Sequence, residues 1–180
     1  LILTMPRRGF LRVLLLALVL LYMPSLTQSS WTEHASVGGG KPWTCITASS
    51  DGTKLAAATY GGNIWTSSDS GGTWTEDTSV GGTRNWDGIT SSSNGTKLAA
   101  VVFEGGYSDG HIWISKDSGD TWIEDTSVGS SKTWNSISSS SDGTKLAALV
   151  TGGNIWTSTD SGATWIEDTS VGSVKQWISI

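Results

Sequence analysis

The sequence predicts an all-β protein, a β-propeller built from four-stranded antiparallel blades. Three landmarks recur along the 180 residues, and the first of them is spaced by 43, 48 and 43 residues. Each repeat contains four short strand-like pieces separated by turn signals. Four strands in roughly 40–50 residues is the size of one propeller blade. All eleven tryptophans fall on repeat positions, which indicates packing between blades.

The first strand of each repeat begins at a tryptophan. The motif reads "WTCI" at 43, "WDGI" at 86, "WNSI" at 134 and "WISI" at 177. A tight turn follows, "DGT" at 51 and 142 and "NGT" at 94, which suits a hairpin with positive φ at its centre. Asn94 has the form of a glycosylation sequon, but it fills the slot of Asp51 and Asp142, so turn chemistry explains it first.

The second and third strands are predicted from "KLAAATY" and "IWTSS", with the turn "GGN" between them. Their equivalents in the second repeat are five residues further apart, in "VVFEGGYSDGHIW". A long loop on a rigid scaffold is a common place for binding residues. This insertion therefore gives four candidate binding residues, Glu104, Tyr107, Asp109 and His111, with simple loop drift as the alternative.

The turn before the fourth strand is the most regular feature of the chain. It reads S-x-D-x-G-x-T-W in all three copies. We expect the Asp to accept bonds from nearby backbone N–H groups, the Gly to permit a left-handed backbone, and the Trp to pack beneath the turn. These residues are predicted to be structural: Ser67, Asp69, Gly71, Thr73, Trp74; Ser115, Asp117, Gly119, Thr121, Trp122; and Ser158, Asp160, Gly162, Thr164, Trp165. The segment "TWTEDTSV" (73–80) is predicted as the fourth strand.

This turn resembles the Asp-box, or BNR repeat, of sialidase-like propellers. Together with "W-x-x-I" and "D/N-G-x-K-L-A-A", it is similar to the photosystem II assembly and stability factors and to sortilin-type propellers. The resemblance covers residues 31–180. It implies a chaperone-like role in a lumen, and it says more about fold than about function.

The repeats divide residues 31–180 into blades at about 43–85, 86–133 and 134–176, with a further blade beginning at 177. The segment "SWTEHASVGGGKPW" (30–43) aligns with the fourth strand and the link that follows it in the next repeat. We expect a lone N-terminal fourth strand that would complete the last blade of a ring. Three whole blades cannot close a ring of 4 to 8, so the sequence is interpreted as the N-terminal part of a longer protein.

Residues 1–30 resemble an export leader. Arg7, Arg8 and Arg12 follow Met5, the expected start, and precede an apolar run over 13–23. Eleven apolar residues are too few to span a bilayer, so a cleaved signal peptide is favoured over an anchor. "RRGFLR" also resembles a twin-arginine signal, and the general secretory route fits equally well. The expected location is secreted or extracytoplasmic, or lumenal if the assembly-factor resemblance holds.

Charge and composition exclude several functions. After the leader the chain has 8 basic and 16 acidic residues, so nucleic-acid binding through phosphate contacts is not expected. Cys45 is the single cysteine, which excludes an intrachain disulfide. No metal-ligand spacing or cofactor motif is present, and neither metal nor cofactor is predicted.

The links between blades carry a basic residue two positions before each first-strand tryptophan. Those residues are Lys41, Arg84, Lys132 and Lys175. In a ring they would form a circle of positive charge near the channel mouth of an acidic protein. We predict that this circle contacts an anionic ligand or an acidic partner surface. Solvated lysines copied with the repeat are the alternative.

Enzymatic activity is the main competing interpretation. Sialidase resemblance implies a clamp of three arginines, but Arg84 is the single arginine after the leader. Adjacent pairs such as Glu76/Asp77 point to opposite faces of a strand and cannot flank one glycosidic bond; solvated outer strands explain them. A glycoside hydrolase would need carboxylates outside the repeat, and four qualify: Asp87, Glu104, Asp109 and Asp120.

The sequence thus favours a non-enzymatic propeller that acts as a protein-binding or assembly scaffold. The expected partner is a protein or glycan on the loop face, and a membrane only through the leader or a membrane-complex partner. A carbohydrate-active or glycan-binding propeller, with tryptophans as sugar platforms, and a sortilin-like extracellular receptor or adhesion propeller are the alternatives.

Overall fold

The computed structural model describes residues 33–34, 37–103, 110–172 and 175–180. The chain divides into two compact units, residues 1–33 and 34–180. Apart from Glu33, the described residues belong to the second unit. The predicted leader and the predicted lone strand around Trp31 lie outside the described residues.

The described residues form three four-stranded antiparallel sheets. In each sheet the strands pair in chain order with their sequence neighbours. Sheet 1 contains β1 (Trp43–Ala48), β2 (Leu55–Thr59), β3 (Ile64–Ser67) and β4 (Thr75–Asp77); sheet 2 contains β5 (Trp86–Ser91), β6 (Leu98–Val102), β7 (Ile112–Ser115) and β8 (Ile123–Asp125); sheet 3 contains β9 (Trp134–Ser139), β10 (Leu146–Val150), β11 (Ile155–Ser158) and β12 (Ile166–Asp168). The predicted all-β propeller fold is confirmed, and each sheet is one blade.

The blades pack through two apolar junctions. Between sheets 1 and 2, small and aliphatic residues such as Ala56, Ala58 and Ile64 cluster with Trp86 and Ile89. The second junction repeats the pattern with Ala99, Val101, Ile112, Trp134 and Ile137. Trp86 and Trp134 are completely buried. Indole burial at this depth stabilises each junction by a few kcal/mol.

Each first strand contains a β-bulge at its second residue. The pairing of β1 with β2 passes from Trp43 to Cys45 and leaves Thr44 unpaired. The same shift occurs after Trp86 in β5 and after Trp134 in β9, at Asp87 and Asn135. A bulge redirects the side chain of the extra residue.

The fourth strand is shorter than predicted. We expected a strand over 73–80, but β4 is confined to Thr75–Asp77. Asp77 ends the strand because its Oδ1 accepts the backbone N–H of Ser79 at 2.7 Å. Asp125 and Asp168 make the same bond in the other blades. The second member of each acidic pair therefore forms a turn, which corrects our interpretation of these pairs as simply solvated.

The start of a further blade at 177 stays a prediction, since residues 176–180 lie outside the strands of the described chain. Lys175, just before this segment, forms an isolated bridge with Gly153. Trp177 nevertheless donates its indole N–H to the carbonyl of Gly153 at 3.1 Å. Trp86 and Trp134 make the equivalent bond, so Trp177 occupies the position of a first-strand tryptophan.

Candidate binding face

One end of the blades, which we call the link face, is formed by the turns between second and third strands and by the links between sheets. The link and the turn are joined by backbone bonds. Arg84 and Gly62 exchange two of them, at 2.9 and 3.1 Å. Lys132 donates its backbone N–H to the carbonyl of Gly110 at 2.9 Å. These bonds fix the backbone from which the Arg84 and Lys132 side chains leave the link.

The basic side chains of three links each lie over a third-strand indole. Lys41 Nζ is 4.6 Å from the ring centre of Trp65. The Arg84 guanidinium carbon is 4.6 Å from that of Trp113, and Lys132 Nζ is 4.7 Å from that of Trp156. These are cation–π distances, worth about 0.5–1 kcal/mol when exposed and more when desolvated. We call the three pairs the cation–indole row.

The first-strand tryptophans pack against the indoles of the row. Trp43 meets Trp65 edge to face at 6.3 Å between ring centres, and the two equivalent pairs lie at 6.2 Å. Each basic group therefore lies over an indole that is itself packed edge to face against a second indole of the same blade. The sequence placed these cations on one face, but it did not reveal their stacking. The available signal was the offset of 24 residues from Lys41 to Trp65 and from Lys132 to Trp156, which the five-residue insertion lengthens to 29 from Arg84 to Trp113.

The four predicted basic residues have different surroundings. Arg84 Nη2 donates to the carbonyl of Val80 at 3.3 Å, while its Nε is buried without a hydrogen-bond partner. Lys41 and Lys132 are half-buried, and Lys175 is exposed.

The candidate residues of the insertion are described in part. Glu104, Tyr107 and Asp109 lie outside the described residues. His111 Nε2 is 3.5 Å from Glu124 Oε1, and its Nδ1 is buried without a hydrogen-bond partner. His111 is thus fixed against the fourth strand of its own blade, a contact that the sequence did not indicate.

Asp87 is the bulged residue of the middle blade and the second residue of β5, the strand that follows Arg84. Its side chain is half-buried. Loss of hydration raises the pKa of its carboxyl above the usual value. Burial, and to a lesser extent the charge of Asp87, raises the pKa of the Cys45 thiol to about 11, so this cysteine remains protonated near neutral pH. Asp87 therefore lies close to the junction with the first blade.

The S-x-D-x-G-x-T-W turns lie at the opposite end of the blades. Asp69 Oδ1 accepts the Ser67 hydroxyl and the Thr73 backbone N–H, both at 2.8 Å, and Oδ2 accepts the Thr73 hydroxyl at 2.7 Å. Asp117 and Asp160 make the same bonds. These bonds lower the pKa of Asp69 and Asp160 to about 2.

The geometry of the three turns agrees with a structural role. Gly71 has a φ of +87°, and its counterparts are similar. A Cβ added at Gly71 would lie 3.7 Å from Trp74 Nε1, so the indole lies beneath the turn. With every carboxylate oxygen engaged inside its own turn, none of these aspartates is placed to act on a substrate.

Lysines connect these turns across the junctions. Lys54 Nζ donates to Ser118 Oγ of the next blade at 2.9 Å, and Lys97 repeats the contact with Ser161 at 3.1 Å. Ser118 and Ser161 have left-handed backbones, with φ of 65° and 61°. Sequence reasoning did not identify this contact, because it joins repeats rather than residues within one repeat.

The candidate carboxylates for hydrolysis are not brought together where the structure describes them. Asp87 is on the link face, and Asp120 is in a turn at the opposite end. Among the described residues, no group of three or more His, Cys, Asp and Glu side chains could hold a metal ion. The same residues include no helix that is long and apolar enough to cross a membrane.

Comparison with known proteins identifies the fold. No protein-family model and no curated protein matches the chain. Among solved structures, YCF48 bound to a D1 peptide matches with a TM-score of 0.60 and 14% identity, over 81% of this chain and 46% of that one. YCF48 from Cyanidioschyzon merolae matches at 0.56 and 13% identity, over 71% and 39%.

A second group of similar structures consists of enzymes. The GH74 xyloglucanase from Xanthomonas campestris matches with a TM-score of 0.55 and 19% identity, over 76% of this chain and 24% of that one. The chain therefore spans less than half the length of these relatives. At such identities the comparisons show a shared propeller fold.

Proposed function

We propose that this chain is part of a non-enzymatic propeller scaffold whose link face binds an acidic segment of a partner protein. The cation–indole row carries the proposal. It aligns three basic groups on three adjacent blades of an otherwise acidic chain, whose net charge is −5. Because the indoles hold these groups in place, a bound carboxylate would order fewer side chains on binding.

The relatives support this proposal at the level of the fold. One similar propeller was solved with a bound peptide, which shows that a protein of this architecture takes a peptide ligand. The Asp-box pattern and the resemblance to photosystem II assembly factors favour a chaperone-like role. We also propose an extracytoplasmic or lumenal location, which this resemblance and the leader-like residues 1–30 support.

Peptide binding tests the proposal directly. A fluorescent ten-residue peptide with four spaced glutamates should bind the chain, and its affinity should fall several-fold between 50 and 200 mM NaCl. Replacing Arg84 and Lys132 by Ala should weaken binding by about thirtyfold, since each of the two charge-assisted contacts contributes on the order of 1 kcal/mol.

The matched control is a second double variant with the same loss of charge. Lys116 and Lys145 are exposed at the opposite end of the blades, so Lys116→Ala with Lys145→Ala should leave peptide binding close to wild type. Equal losses in the two double variants, or binding that ignores salt, would show that the row is not the binding site.

A glycoside hydrolase is the second candidate, because the matched structures include GH74 enzymes. It predicts turnover of xyloglucan or of chromogenic glycosides, lost in Glu104→Gln or Asp109→Asn. Turnover that depends on either carboxylate would replace the scaffold proposal. Binding of xyloglucan without turnover would favour a glycan-binding propeller.

A further inference from the structure

The residue at the β-bulge of the first strand differs among the three blades in the hydrogen bonds that its side chain makes. In the first blade Thr44 Oγ1 donates to the carbonyl of Ala58 at 3.2 Å. In the third blade Asn135 Nδ2 donates to Thr151 Oγ1 at 3.1 Å. Both side chains therefore satisfy an acceptor on the second strand, or just after it, in their own blade. In both of these blades the bulge position is occupied by a hydrogen-bond donor.

Asp87 occupies that position in the middle blade and cannot donate when ionised. In the described part of the chain, no hydrogen bond or ion pair reaches its carboxylate, although the side chain is half-buried. A carboxylate that loses hydration without gaining a partner opposes folding. A residue that departs from the repeat pattern and lowers folding stability in this way is expected at a functional site.

The location of Asp87 connects it with the link face. It lies three residues after Arg84, at the start of β5. The three first strands are neighbours in the structure: β5 packs against both β1 and β9. Asp87 thus belongs to the first strand that lies between the other two, three residues after the Arg84 member of the cation–indole row. A ligand that reaches from the row to the start of β5 would meet both basic groups and an acidic one.

We infer that Asp87 binds the ammonium or guanidinium group of a lysine or arginine side chain in the segment that occupies the link face. This inference rests on the proposed function and makes it more specific. The preferred segment carries acidic residues for the row and one basic residue for Asp87. Charge-assisted hydrogen bonds from a cation would replace the lost hydration of the carboxylate more fully than bonds from a neutral donor.

Three labelled ten-residue peptides test this inference by fluorescence anisotropy. The first carries four glutamates, the second has the same sequence with one central Gly replaced by Lys, and the third carries the lysine without glutamates. Wild type should bind the second peptide about three- to tenfold more tightly than the first. Asp87→Asn should abolish that advantage and leave the affinity for the first peptide no weaker than in wild type.

Asp120→Asn is the matched control, because it removes the same charge from an exposed residue of the opposite end. It should keep the lysine advantage. An advantage that persists in Asp87→Asn, that disappears equally in Asp120→Asn, or that is missing from wild type would overturn the inference.

The design separates this inference from the proposed function. If the glutamate peptide fails to bind, the row proposal fails, and the third peptide then tests Asp87 alone: its binding must weaken in Asp87→Asn. A second measurement does not involve a ligand. Asp87→Asn should raise the thermal unfolding midpoint by restoring a donor at the bulge, and a lower midpoint would identify Asp87 as a structural residue and overturn the inference.

Discussion

At the scale of single residues, the turn aspartates stabilise the fold through hydrogen bonds that favour the ionised carboxylate. Asp69 and Asp160 have folded-state pKa values of about 2, below their ordinary value of 3.8. A lowered folded-state pKa means that the unfolded chain binds protons first as the pH falls. The stability that these groups contribute is complete above about pH 5 and is lost as the pH falls through about 2.

We therefore predict that the urea midpoint of unfolding falls steadily between about pH 4 and pH 2. Asp69→Asn should flatten this dependence, because the amide keeps one oxygen for Thr73 but does not titrate; Asn94 already accepts the backbone N–H of Thr96 in this manner. Asp69→Ala should lower the midpoint at every pH. A pH profile unchanged by Asp69→Asn would contradict the prediction. The pKa of Asp87 is raised in the folded state, so its contribution to stability increases as the pH falls.

Some glycines with a left-handed backbone also have no room for a Cβ atom, whereas others face open space. Gly162 has a φ of +85°, and an added Cβ would lie 2.6 Å from Ile114 Cδ1. Gly172 has a φ of +82° and open space around it. We predict that Gly172→Ala lowers the free energy of unfolding by about 1 kcal/mol through backbone strain.

Gly162→Ala should lower it by about 1–3 kcal/mol more, because the methyl group displaces Ile114 at the second junction. Urea unfolding of both variants measures the difference. Equal losses would show that the isoleucine moves away without cost.

At the scale of strands, a tryptophan at a blade junction contributes to stability according to how far a neighbouring sheet buries it. Trp86 is completely buried and Trp43, its equivalent in the first blade, is 42% exposed. The difference arises because β5 packs against sheet 1, whereas no described sheet covers the corresponding side of β1. We predict that Trp86→Ala lowers the free energy of unfolding by about 3–5 kcal/mol.

Trp43→Ala should cost about half as much, since less of that indole leaves water on folding. Urea unfolding at pH 7 measures both values. Similar losses for the two variants would contradict the packing described at the junctions.

The strands themselves were largely predictable from the sequence, because alternating residues and Gly-containing turns repeat three times. The exceptions have local causes. The fourth strands are short because Asp77 and its counterparts cap the following turn. The bulges were not predicted, since the pattern "WDGI" does not show which residue lacks a partner on the neighbouring strand. The stacking of Arg84 on Trp113 was also missed, because the two lie 29 residues apart and meet through a link and a turn.

At the scale of the molecule, the three blades stack in chain order, and the middle blade alone has both faces covered by described sheets. The repeat period made the stack predictable. Contacts between repeats, such as Lys54 with Ser118, were not predictable, because sequence similarity shows what the units share but not how they touch. The same stack determines where stability should be highest.

In such an array, opening one unit breaks its own contacts and the junctions it forms with its neighbours. Sheet 2 forms both junctions, so exposing its amides requires both to separate. Residue burial agrees: all five residues of β6 are buried, whereas β1 has four exposed residues of six. We predict by hydrogen exchange that β5 and β6 exchange most slowly, that β9 and β10 are intermediate, and that β1 is fastest of the first strands.

Trp134→Ala provides the decisive comparison. It weakens the second junction and leaves the first junction intact, so exchange should accelerate in β9 and β10 by orders of magnitude and in β5 and β6 by less. If the three sheets instead exchange at one common rate, before and after this substitution, the blades unfold as a single cooperative unit. The junctions would then be stronger than the blades they connect, which reverses the order of stability derived from burial.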